Sequence, residues 1–179
     1  MMQRAFISIG SNISPAVNIR KAIHSLSKRV QVTGLSTVYC TKAIDRPDEP
    51  DYFNCVLEIR TGISPEDLQY LILREIENDL GRMRREDKYA ARTIDLDLIL
   101  YGEMVIASDK LTVPDPEILE RSFLAIPLHE LDQNLVIPGI SMPIKDIVGK
   151  FQESAMKPLD NYTTHLRKDI RYGCEYRQD

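Results

Sequence analysis

Residues 92–102 read RTIDLDLILYG. Aliphatic and β-branched residues dominate this stretch, the composition of a buried strand, yet Asp95 and Asp97 interrupt it. Side chains alternate between faces along a strand. Ile94, Leu96, Leu98 and Leu100 therefore fall on one face, and Thr93, Asp95, Asp97, Ile99 and Tyr101 on the other. The first set is a core face. The second places two carboxylates side by side, about 7 Å apart on a strand rising about 3.3 Å per residue, and like charges so close need positive charge beside them.

Immediately upstream, residues 82–92 (RMRREDKYAAR) hold five basic residues against Glu86 and Asp87, so a basic loop runs straight into the carboxylate pair. Before it, Ser64-Pro65-Glu66-Asp67 is a helix start, with Ser as N-cap, Pro at the first helical position and acids over the first turn. Leu68, Leu71, Ile72, Ile76 and Leu80 recur at helical spacing as far as Gly81, which suits a left-handed C-terminal cap. Residues 31–39 and 52–60 read as strands, separated by a Pro- and Asp-rich loop too long for a tight hairpin. Residues 18–30 form an amphipathic helix through Ile19, Ala22, Ile23, Leu26 and Val30. Residues 5–9 (AFISI) are a short buried strand ended by Gly10-Ser11-Asn12, with Gly10 in a turn and Asn12 supporting the start of the helix.

The resulting order, β-α-β-β-α-β, predicts an α+β fold with a ferredoxin-like core, an antiparallel sheet with helices packed on one face. Past residue 102, MVIASDKLTVP predicts one or two short strands, PEILERSFLAIPLHEL short helical turns, and LVIPG a brief extended piece. Residues 1–149 thus form one domain. Residues 150–179 are polar and mixed in charge, with no sustained apolar period, and read as a C-terminal extension with partial order.

At 179 residues, 43% hydrophobic and 28% charged, the chain can build one core. Its formal charge of -4 and the shortness of the basic patch argue against nucleic acid as a partner. No stretch approaches the roughly 20 apolar residues that span a bilayer, and the N-terminus runs into AFISIG without a signal-peptide pattern. Cys40, Cys55 and Cys174 lack the CxxC spacing of zinc or redox sites, and His24, His129 and His165 lack ligand spacing. The expectation is a cytoplasmic protein with structural thiols, monomeric or weakly homo-oligomeric, acting on small molecules.

Two readings of Asp95 and Asp97 are open from pattern alone. In one, they are solvated or ion-paired with Arg82, Arg84 or Arg92 on an exposed sheet face. In the other, they hold magnesium, a hard cation that takes carboxylate oxygens, keeps waters and bridges to substrate phosphates. Guanidinium groups facing the same phosphates from the basic loop would supply the positioning and charge neutralisation that phosphoryl transfer requires. GSNIS at 10–14 lacks the P-loop pattern, and no protein-kinase motif set is present.

The segments GSN at 10–12, PDYFN at 50–54, IENDLGRMR at 76–84, RTIDLDLILYG at 92–102, LTVP at 111–114 and RSFLAIPLHEL at 121–131 occur together and in order. The set resembles the bacterial 6-hydroxymethyl-7,8-dihydropterin pyrophosphokinase family, over about residues 5 to 148. The resemblance implies magnesium-dependent transfer of diphosphate from ATP to the pterin hydroxymethyl group, with release of AMP, in folate biosynthesis. It implies that Asp95 and Asp97 hold two magnesium ions and that Arg82 and Arg92 contact the phosphates, these four forming the catalytic set. Glu77, Arg84, Lys110, Thr112 and Asp115 would lie at the ATP site. Thr41, Ile44, Tyr52, Asn54, Arg121 and Phe123 would lie at the acceptor site, where aromatic rings and an amide suit a flat heterocycle.

Three departures from the family pattern stand out. Val113-Pro114-Asp115-Pro116 has an acid where the family has a histidine facing ATP. Such an acid repels phosphate unless it turns away or pairs with a base such as Lys110. Tyr89-Ala90-Ala91 replaces a usual Trp-Gly-Pro, and the second loop reads Thr41-Lys42-Ala43-Ile44-Asp45-Arg46 rather than beginning Thr-Pro-Pro. They keep open a relative acting on another alcohol or by another phosphoryl transfer, and a pterin- or nucleotide-binding protein without turnover.

Overall fold

Asp95 and Asp97 sit on an edge strand of the main sheet. The computed structural model describes residues 1–43, 49–83, 91–151 and 155–172. In it β1 (Gln3–Ser11) runs antiparallel between β4 (Tyr52–Thr61) and β5 (Asp95–Tyr101). β2 (Gln31–Leu35) and β3 (Tyr39–Thr41) both pair antiparallel with the far side of β4, and β10 (Lys157–Pro158) pairs with β3. The strand expected over 31–39 is therefore two. At the break, the Ser36 hydroxyl accepts the Val56 N–H at 2.9 Å, and the Val38 N–H donates to Thr163 Oγ1 at 2.9 Å, so side chains complete the backbone bonding there. Two further hairpins, β6 (Ile106–Ala107) with β7 (Thr112–Val113) and β8 (Val136–Ile137) with β9 (Met142–Pro143), lie outside this sheet.

Helix α1 (Pro15–Ser27) begins three residues before the spacing predicts, because Pro15 occupies its first turn and Ser14 turns the chain through a left-handed conformation, φ 43°. The helix opening at Ser64, whose side chain accepts the Asp67 N–H as expected, is not uniformly α. It runs as α2 (Pro65–Asp67), a π-helical segment Leu68–Leu73, and α3 (Arg74–Asp79). The wider turn changes which residues face inward: Leu71 is exposed, although it belongs to the expected apolar stripe, whereas Gln69 is buried. Helices α4 (Ser122–Leu131) and α5 (Ile144–Val148) follow, and α6 (Asp160–Tyr172) forms in the segment read as lacking a period. Its stripe is narrow, Tyr162, Leu166 and Ile170, which pack with the core amid strongly polar neighbours. Among the described residues, no helix is long and apolar enough to cross a membrane.

The alternation read from β5 holds for Ile94 to Leu98 and then breaks. Phe6 pairs with Leu100 and Ile7 with Leu98, so Ile99 is an extra residue, a β-bulge. Beyond it the faces exchange. Ile99 and Leu100 join a second apolar cluster with Phe6, Val56 and helices α4 and α5, while Tyr101 joins the first cluster with α1, the helix at 65–79 and Leu166 of α6. The sheet is thus covered on both faces, not one. The second face is covered only in part, and its uncovered part carries the carboxylates.

Candidate active site

The outer edge of β5 is completed by helix side chains. The Leu96 N–H donates to Glu77 Oε1 at 2.8 Å, and the Leu98 N–H to Gln69 Oε1 at 2.7 Å. Gln69 Nε2 reaches the Leu96 carbonyl at 3.4 Å, and Arg82 Nη1 donates to the Ile94 carbonyl at 2.8 Å. A row of edge groups that would otherwise seek another strand is satisfied in this way. The same side chains continue to the carboxylates. Arg82 donates to Asp95 Oδ1, Gln69 Nε2 lies 3.3 Å from Asp97 Oδ1, and Arg74 lies 3.8 Å from the same oxygen. Glu77, only 1% exposed at its side chain, is held between Arg74 at 2.8 Å and Arg82 at 3.1 Å. Gln69 and Arg74 escaped the sequence reading because only the π-helical segment turns Gln69 inward, and nothing in the apolar spacing marks that turn.

Asp95 gives one oxygen to Arg82 and the other to Arg92. Burial alone would raise its carboxyl, but the charges of Arg82 and Arg92 outweigh it and hold the group below the usual range. Asp97 behaves oppositely: burial, then the charge of Asp95, push it up to about 7, with Arg74 opposing. The start of β5 is pinned by Asn12, whose Oδ1 accepts the Arg92 N–H at 2.7 Å and whose own N–H donates to the Arg92 carbonyl at 3.2 Å. Asn12 therefore supports the carboxylate strand rather than the start of α1, and Gly10 lies within β1 rather than in a turn.

Cross-strand register explains the floor of the cleft. Tyr39 pairs with Asn54, Asn54 with Gly10, and Gly10 with Asp95, so one row crosses four strands on one face. Gly10 leaves the row open between the amide and the carboxylate; a Cβ there would stand 3.0 Å from Asn54 Oδ1. Above this floor is a cavity of about 730 Å³ bordered by Thr41, Tyr52, Asn54, Arg92, Asp95, Asp97, Arg121 and Phe123. Asn54 Nδ2 donates to Thr41 Oγ1 at 2.8 Å. A smaller cavity of about 220 Å³ is bordered by Lys110, Thr112, Gln69, Arg74 and Pro116. Asp97 and Asp115 border both cavities. Glu77 and Arg82 border neither: they act on the site from beneath, through Asp95 and β5. Ile44, Arg84 and most of the basic loop lie outside the described residues.

Asp115 does not pair with Lys110. Its N–H donates to the carbonyl of the bulge residue Ile99 at 2.9 Å, and its carboxylate accepts the Glu117 N–H at 2.8 Å, capping a 3₁₀ turn at Pro116–Leu119. Burial raises its carboxyl above the ordinary aspartate range. The acid thus has a local structural partner. Asp115→Ala is expected to lower stability by about 1 kcal/mol, and Asp115→Asn, which keeps the acceptor, by only a few tenths. Thermal denaturation that finds the two variants equal would remove the capping role.

The donors suit a hard divalent cation. Asp97 is 42% exposed at its side chain and faces the cleft, whereas Asp95, 17% exposed, would have to share its oxygens with the arginines. Among the described residues no cluster of three or more His, Cys, Asp or Glu could enclose a metal. Two carboxylates with the remaining positions left to water and phosphate are what magnesium commonly accepts.

Comparison with known proteins places this arrangement. Residues 6–133 match the family described as 7,8-dihydro-6-hydroxymethylpterin-pyrophosphokinase (HPPK). The chain is similar to the 2-amino-4-hydroxy-6-hydroxymethyldihydropteridine pyrophosphokinase of Haemophilus influenzae, 38% identical over 164 residues that cover 89% of this chain and 99% of that protein. The protein of the same name from Aquifex aeolicus is 32% identical over 158 residues, covering 88% and 96%. Among solved structures, Plasmodium falciparum HPPK-DHPS with pterin and p-hydroxybenzoate superposes with a TM-score of 0.68 at 10% identity, over 84% of this chain and 42% of that one. That likeness is one of fold, and the chain spans about two fifths of the solved one. The family match over residues 6–133 and the near full-length alignment lead to the same conclusion: the chain belongs to the 7,8-dihydro-6-hydroxymethylpterin-pyrophosphokinase family.

Proposed function

We propose that this chain transfers the β,γ-diphosphate of ATP to the hydroxymethyl oxygen of 6-hydroxymethyl-7,8-dihydropterin, releasing AMP, as a step of folate synthesis. The observation that carries the reading is the junction of the two cavities at Asp97. A phosphate chain spanning that junction would have its nucleotide end beside Lys110 and Thr112 and its reacting end over Gly10 and Asp95. The acceptor's flat ring would lie in the larger cavity, with its polar edge read by Asn54 and Thr41 and its faces met by Tyr52 and Phe123. The hydroxymethyl oxygen gives up its proton to solvent and forms the new bond to the β-phosphorus as the bond from that phosphorus to the α,β-bridging oxygen breaks, and AMP departs with that oxygen. Asp95 and Asp97 are the residues that would hold magnesium, two ions in this reading, which neutralises phosphate charge when bound. Arg92, beside Asp95 at the cavity wall, would meet the phosphates from the protein side.

A ferredoxin-like βαββαβ core, supported by the β5-β1-β4 order with β2 and β3 beyond β4, belongs to the same reading, as does a cytoplasmic location. Following the nucleotide tests it. Incubation with ATP, magnesium and the pterin should yield AMP in step with pterin consumed. ADP would indicate single-phosphate transfer, and binding without either product would indicate a protein without turnover.

A further inference from the structure

Residues beyond the matched 6–133 close the end of the main sheet. β10 adds to β3 with Lys157 opposite Cys40 and Pro158 opposite Tyr39. The Leu159 N–H donates to the Val38 carbonyl at 2.8 Å, and Thr163 Oγ1 accepts the Val38 N–H at 2.9 Å, so the C-terminal segment holds β3 along its outer edge. Helix α6 is itself seated by further contacts: Leu166 is buried in the core, the Tyr162 hydroxyl donates to the Ala16 carbonyl at 2.5 Å, Arg167 Nε donates to the Leu35 carbonyl at 3.0 Å, and Arg20 pairs with Asp169 at 2.6 Å.

The antiparallel register has a consequence for the cleft. Carried one residue before Lys157, the same register sets Met156 against Thr41, which in turn pairs with Tyr52 on β4. Residues in one cross-strand row share a face, and neighbouring strands lie about 4.8 Å apart. This row is on the cleft face, two residues from the row of Tyr39, Asn54, Gly10 and Asp95. Met156 borders the large cavity accordingly, together with Phe151. It stands one residue before β10, the strand at the opposite edge of the sheet from the carboxylates. A flat acceptor with its reacting group over Asp95 would extend across β1 and β4, with its far edge toward Thr41 and Met156 on the border of the same cavity. A polarizable thioether there packs well against a ring edge and adapts its shape to it.

We infer that Met156, delivered by β10 and held in place by α6, is a specificity-determining contact that forms the end wall for the heterocyclic acceptor. This rests on the pyrophosphokinase reading above. The test compares Met156→Ala and Met156→Leu with the parent chain in two assays: AMP formation from ATP and 6-hydroxymethyl-7,8-dihydropterin, and fluorescence titration with 6-hydroxymethylpterin, which requires no turnover. For Met156→Ala, KM for the pterin and the titrated Kd should rise about tenfold. KM for ATP and kcat should stay within about twofold, and Met156→Leu should recover most of the loss. Equal pterin affinity in parent and Met156→Ala overturns the inference, as does a parallel loss for pterin and ATP. A parent chain that binds the pterin but forms no AMP refutes the activity alone, and the titration still decides the role of Met156. A melting curve for each variant separates either result from unfolding.

Discussion

Asp97→Asn is expected to reduce magnesium-dependent AMP release at least about a hundredfold while leaving the metal-free protein at least as stable as the parent at pH 8. The two effects share one cause. Burial and the charge of Asp95 push the Asp97 carboxyl from an ordinary value of 3.8 up to about 7. The folded state therefore holds this proton more tightly than the unfolded chain does. The group's contribution to stability is fully present below about pH 4 and is lost as the pH rises through 7, the reverse of an ion-paired carboxylate. Above pH 7 the metal-free protein carries an unfavourable charge. Because the side chain is 42% exposed, solvent screens much of the penalty, leaving on the order of 1 kcal/mol for the amide to recover. Denaturant titrations at pH 5 and pH 8, with and without magnesium, check the prediction. A destabilised Asp97→Asn at pH 8 without metal would show that the carboxylate is a structural group rather than a cation seat. Asp95 should not behave in the same way, since two arginines hold its carboxyl below the usual range.

Glu77→Ala is expected to cost about 3 to 5 kcal/mol, far more than its distance from either cavity would imply. Its carboxylate is the partner of both Arg74 and Arg82 and the acceptor for the Leu96 N–H, all at a site that is 1% exposed. Truncation leaves two guanidiniums and a strand amide short of a partner inside the protein. It also frees Arg82 to draw Asp95 out of line, so activity should fall even at temperatures where the variant is folded. Glu77→Gln keeps one acceptor oxygen and should lie between the two. Urea unfolding gives the stability. A loss for Glu77→Ala below about 1 kcal/mol would mean that the arginines find other partners.

The mixture of antiparallel strands and packed helices and the placement of Asp95 with Asp97 on one face were legible because both rest on short-range periodicity, two residues for strands and about three and a half for helices. What escaped was phase. Ile99 is one residue too many for its partner strand, and no property of an isoleucine announces a bulge, so Leu100 and Tyr101 were assigned to the wrong faces. The π-helical segment had the same effect on Leu71 and Gln69, hiding an amide that touches Asp97. α6 was missed because a stripe of Tyr162, Leu166 and Ile170 is one residue wide, too narrow to stand out among charged neighbours until α1 is there to receive it. At the site, the residues expected around the acceptor and described in the structure all border one cavity, and Lys110, Thr112 and Asp115 border the other. The placement of Glu77 and Arg82 beside β5, away from both cavities, needed coordinates, since sequence spacing does not distinguish a residue that lines a cavity from one that supports its wall.

The bulge at Ile99 also works as a coupling pin. By adding one residue, it turns β5 from a strand that presents carboxylates to one that fills the second core, and its carbonyl, thereby left outside the regular ladder, holds the turn that begins at Asp115. The turn at Asp115, which borders both cavities, is thus fastened by a main-chain hydrogen bond to the strand that carries the carboxylates. The main-chain bond to Ile99 does not depend on the side chain at position 115, whereas deletion of one residue between Leu98 and Leu100 would remove the bulge and shift the borders of both cavities at once.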